Sequence, residues 1–136
     1  MSRITDKIRE IEDYLERLTE IIPKEVEEYK KDHKTKAACE RYFEKIVEAV
    51  IDLSFLIVKE KSLKIPEDSE GVFDVLKEEN IISEKLAEKL KDAKGMRNII
   101  SHQYGKVDDE IVFESITGQL ERDVIEFLGC VEDGES

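Results

Sequence analysis

Arginine, asparagine, serine, histidine and tyrosine stand close together in Arg97-Asn98-Ile99-Ile100-Ser101-His102-Gln103-Tyr104, and these side chains suit phosphate chemistry. Histidine titrates near neutral pH, so His102 can take or give a proton. Arg97 carries a planar, permanently charged fork that matches two phosphate oxygens. On a helix Asn98 and His102, four apart, share one ridge, and Arg97, Ser101 and Tyr104 share the next. Arg97 and His102 are five apart and do not lie on one face. They converge only if the arginine reaches across or the helix unwinds, and the helix is expected to loosen near Ser101. Between Glu84 and Lys106 six bases stand against three acids, a local surplus of the kind a phosphate ligand needs inside an acidic chain. The lysines taken alone read more simply as a solvated face with compensating i, i+4 acids. A histidine at a helix end can also do no more than bond a terminal carbonyl. Arg97, Asn98 and Tyr104 beside it favour a site.

The elements that must position this segment are helices. Ile4, Ile8, Ile11, Leu15, Leu18 and Ile22 recur at three- and four-residue steps, which predicts a helix over residues 2 to 22 that Pro23 ends or kinks. Val26 and Tyr29 continue a short apolar stripe before a charged turn at residues 30 to 34. Thr35 is the expected cap of a second long helix, reaching about Lys61 and apolar on more than one face from Ile46 onward, hence the most buried. After a polar loop at Pro66 to Gly71, residues 72 to 79 predict a small linking helix. Ser83 caps the helix that carries the segment, and Gly105 is placed to end it. A last helix is expected from Asp109 to Cys130. No segment alternates with period two. The reading is one all-α domain over residues 1–136, an antiparallel bundle of four main helices plus one short helix.

Composition narrows the function. A net charge of -12 opposes generic nucleic-acid binding, so any RNA contact must be local. Lys and Glu supply most of the charge while Asn, Gln, Cys and Met are scarce, a balance found in proteins that work at high temperature. Cys39 and Cys130 suggest neither a disulfide framework nor a zinc site and read as reduced packing thiols. No cluster of Asp, Glu and His has metal-site spacing, so no catalytic metal is expected. No stretch resembles a leader or a membrane span, which implies a cytoplasmic protein. His33 is expected at the surface. Asp52 reads as a satisfied core polar group or a partner near the cleft, and Tyr14, Tyr29 and Tyr42 as packing residues with surface hydroxyls.

The segment from Arg97 to Gly105 resembles the R-x4-H-x-Y signature of HEPN toxins of the HepT type, partners of minimal nucleotidyltransferases (MNT). Glu48-Ala49-Val50-Ile51-Asp52 on the long helix, the Pro66 loop, the Leu76 to Ile82 connection and Val107-Asp108 fit as well, so the likeness runs from about Ile4 to Leu128. It implies a metal-independent endoribonuclease in which the RNA 2'-hydroxyl attacks the adjacent phosphorus, with His102 and Arg97 as the catalytic pair and Asn98 and Ser101 binding substrate or orienting it. One histidine does not easily serve as acid and base in one step, so a two-fold homodimer that pairs the motifs is part of the expectation. The resemblance makes Tyr104 the residue to which a nucleotidyltransferase antitoxin attaches adenylate, which would repel RNA. The alternative is a non-catalytic helical module that binds a nucleotidyltransferase or a nucleotide.

Overall fold

The structure, a computed structural model, describes residues 2–102 and 108–135. Helix α1, Ser2–Ile21, turns Ile4, Ile11, Leu15 and Leu18 inward, as their spacing requires. After Pro23 the chain makes a six-residue helix, α2 (Val26–Lys31), not foreseen as a separate element. Helix α3, His33–Glu60, starts two residues before Thr35. Its cap is Asp32, whose carboxylate accepts from the Thr35 amide at 3.2 Å and from the Thr35 hydroxyl at 2.8 Å. His33 therefore opens α3 and is exposed.

Asp68 caps α4, Ser69–Glu78, by accepting from the Gly71 amide at 2.8 Å, so this helix starts three residues earlier than Val72. Asn80 follows it at φ 60, the left-handed conformation that asparagine tolerates better than most residues. Helix α5, Glu84–His102, has the cap expected of it: the Leu86 amide donates to the Ser83 hydroxyl at 3.0 Å. Ser83→Ala is expected to cost about 1 kcal/mol, read as a lower urea midpoint at unchanged slope. The last helical run is longer than predicted and irregular. It comprises α6 (Asp109–Glu114), a π-helical turn at Ser115–Gln119 and α7 (Leu120–Glu135).

Helix α3 is the central element, with α1, α4 and α5 packed against it; α7 packs on α5, and α2 bridges α3 and α6. Phe43, Ile46, Leu53, Ile57, Phe73, Leu76, Leu86 and Phe127 fill one continuous core. The four long runs are antiparallel neighbours where side chains register them. The tilted rings of Tyr14 and Tyr42 meet at 6.2 Å between centroids, and Lys7 reaches Asp52 at 3.8 Å, so α1 and α3 run oppositely. The predicted bundle is thus present, with two short helices in place of one. Among the described residues there is no strand.

Two expectations need correction. Tyr29 is fully buried against the Phe113 ring at 5.3 Å, and its hydroxyl has no partner among the described residues; burial pushes its ionisation upward. The cause is α2 itself, which tucks Tyr29 between α3 and α6. Asp52 is not a core group: its side chain is 63% exposed and faces Lys7 of α1. Cys39 and Cys130 are free thiols, and burial pushes Cys39 up to about 11.

Candidate functional site

Helix α5 continues without interruption through His102, so the loosening expected near Ser101 does not occur. The Ser101 hydroxyl donates to Glu44 Oε2 at 2.6 Å, which ties the last turn of α5 to α3. One turn earlier, Arg97 Nη2 donates to Glu48 Oε1 at 2.7 Å. Glu44 and Glu48 lie one turn apart on α3, as Ser101 and Arg97 do on the oppositely running α5, so the two pairs form matching rungs.

The regular helix keeps Arg97 and His102 roughly 140 degrees apart around its axis. The ridge of Arg97 and Ser101 is sunk against α3, whereas His102 is exposed on the other ridge. Asn98 touches the first of them: its side-chain oxygen accepts from Arg97 Nη1 at 3.3 Å. Arg97 Nε is enclosed with no partner among the described residues, and the side chain as a whole is 26% exposed. The guanidinium is thus held by Glu48 and Asn98, with the side chain partly open to solvent. Tyr104, together with Gly105 as the predicted helix end, lies outside the described residues.

The surplus of bases counted along the chain does not survive folding. Lys91 pairs with Asp74 of α4 at 2.6 Å, Lys89 with Asp123 of α7 at 3.6 Å, and Arg97 with Glu48 of α3. Lys91 and Asp74 each stabilise the other's charged form, so the lysine is shifted upward and the carboxyl downward, chiefly by their hydrogen bond. Three acids from other helices thus pair with three of the six cations.

Sequence reasoning did not single out Glu44 and Glu48 as partners of the segment. A signal existed: Lys36, Glu40, Glu44, Glu48 and Asp52 recur every four residues. Each step of four turns about 40 degrees beyond a full circle, so the stripe drifts around α3. Its middle meets α5, and its end, Asp52, comes round to α1. Among the described residues no group of three or more His, Cys, Asp or Glu is arranged to hold a metal ion, and no helix is long and apolar enough to cross a membrane.

A family model described as "Ribonuclease HepT-like" matches residues 11–131. The chain is 37% identical over 87 residues to a putative RNase of Archaeoglobus fulgidus, an alignment that spans 64% of each protein. It is 27% identical over 129 residues to the mRNA nuclease HepT of Shewanella oneidensis, covering 95% of this chain and 96% of that one. The solved structure of a tri-AMPylated HEPN toxin from Shewanella oneidensis, in complex with an MNT antitoxin, superposes with a TM-score of 0.88 at 27% identity over 96% of both chains.

Proposed function

The chain belongs to the ribonuclease HepT-like family, and from that premise we propose that it is the toxin of a HEPN/MNT pair: a cytoplasmic, metal-independent endoribonuclease acting as a homodimer of one-domain chains. The observation that carries this reading is the arrangement on α5, where Glu48 anchors Arg97 while His102 stands open to solvent at the helix end.

In this reading the RNA 2'-hydroxyl attacks the neighbouring phosphorus. His102 moves a proton, and the Arg97 guanidinium binds the crowded phosphorane, whose charge exceeds that of the resting phosphate. Within one subunit the two groups point away from each other. A two-fold axis at the motif end of α5 supplies a second imidazole and a second guanidinium, so one histidine accepts a proton while its copy donates to the leaving 5'-oxygen. Asn98 keeps Arg97 from swinging away, and Ser101 fixes the last turn of α5 on α3. Tyr104 is the residue for adenylate transfer from a nucleotidyltransferase antitoxin, and the added phosphate would compete with RNA for the same cation.

The test is to incubate purified, unmodified protein with RNA in EDTA. Cleavage leaving 2',3'-cyclic phosphate ends is the expected result, and light scattering at micromolar concentration should give the mass of a dimer. Intact RNA under these conditions would leave only a helical binding module. A monomer that still cuts would remove the composite cleft.

A further inference from the structure

A second feature lies beside the α5 segment and is not used by the chemistry above. A cleft of about 430 Å³ opens between α5, the π-helical turn and α7, within the size range of small-ligand pockets. Its floor is apolar, formed by Phe43, Leu90, Met96 and Val124. Met96 precedes Arg97 directly, so the cleft shares helix α5 with the proposed site of phosphate chemistry.

The polar lining is specific. Asp123 is only 8% exposed, and its enclosed Oδ1 has no hydrogen-bond partner among the described residues. Lys89 Nζ is 3.6 Å from it, near enough for charge attraction and too far for a hydrogen bond. A buried carboxylate oxygen left in this state is costly unless a ligand supplies a donor. The π-helical turn is the second unusual feature. Such turns insert one extra residue into a helix and cluster at functional sites; here it places Ser115 and Gln119 on the cleft wall.

An apolar floor for a flat ring, an unsatisfied acceptor at one end and cations at the rim match a nucleotide. Resting on the ribonuclease reading, we propose that this cleft is a base subsite for the nucleotide next to the cleaved bond, and that it prefers guanine. Asp123 offers only acceptors. Guanine presents two adjacent donors, its ring N–H and its amino group, whereas uracil flanks a single N–H with two carbonyl oxygens that repel a carboxylate. Met96 packs against the ring, Lys89 stays beside Asp123, and the exposed Arg122 meets the attached phosphate.

Calorimetric titration of the unmodified wild-type protein with GMP and with UMP, in EDTA, tests this. GMP is expected to bind roughly tenfold more tightly, the size of one well-made base contact. Asp123→Asn should erase most of that preference. Because a change at a buried carboxylate can disturb folding, Ala93→Phe, which fills the cleft from its partly exposed wall, serves as the second variant. It should abolish GMP binding at an unchanged melting temperature. Equal affinity for GMP and UMP, or GMP binding undiminished by Ala93→Phe, overturns the subsite. If the protein cuts RNA through Arg97 and His102 with no change in flanking base in the cleft variants, the subsite fails and the nuclease reading stands. Selective GMP binding by a protein that cuts no RNA keeps a guanine cleft and removes the nuclease reading.

Discussion

His102→Ala is expected to slow RNA cleavage by about 10² to 10⁴-fold, the usual contribution of a positioned proton donor or acceptor, with little change in stability. The imidazole is exposed on the final residue of α5, so its removal opens no cavity. Surface substitutions of this kind stay within roughly 0.5 kcal/mol. Initial rates in chelator, measured beside urea midpoints of the same preparations, separate the two effects. An alanine variant that cuts at the wild-type rate would remove the proton-transfer role. A variant that has lost both rate and midpoint would make His102 a structural residue.

The second large effect belongs to Arg97 and its anchor. Arg97→Ala should cost about 10² to 10³-fold in kcat, as loss of a donor to a charged transition state commonly does. Arg97→Lys should not restore it, since an ammonium keeps the charge and loses the planar fork. Stability should change by no more than about 1 kcal/mol, because the Glu48 carboxylate is 41% exposed and can be solvated once its partner is gone. Glu48→Ala then separates anchoring from charge. Freed from a competing carboxylate, the guanidinium should bind RNA more tightly and lower KM, while the loss of orientation reduces kcat about tenfold. A variant with both constants unchanged would show that Glu48 does not position Arg97.

The bundle was legible because its signals are local. The apolar stripe of α1 and the Ser83 cap of α5 are written in neighbouring residues, and the structure has both. The start of α3 was misplaced because Asp32 and Thr35 are both capping types, and only the two bonds that Thr35 donates to Asp32 show that the aspartate holds the position. The π-helical turn carries no recognised pattern and was missed.

At the candidate site, sequence proximity identified the right helix but misjudged its surroundings. The expectation that α5 would unwind near Ser101 ignored Glu44, 57 positions away, which pins that turn. The excess of bases was counted along the chain, whereas charge balance is settled in space by Asp74, Asp123 and Glu48. Tyr29 and Asp52 were misread for the same reason: the exposure of each is decided by a helix that its own neighbours do not reveal.

The pairing of the α5 cations with protein carboxylates also bears on how the molecule responds to ionic strength. Most proteins that hold a polyanion do so by displacing condensed counterions into the bulk, and added salt weakens them steeply. Here Arg97 and its neighbours on α5 already share their charge with carboxylates tethered to the same chain, so an arriving phosphate meets cations that are partly balanced before it binds. The grip on RNA should fade with salt far more gently than for a basic nuclease, and selectivity would then rest on shape and base contacts rather than on charge.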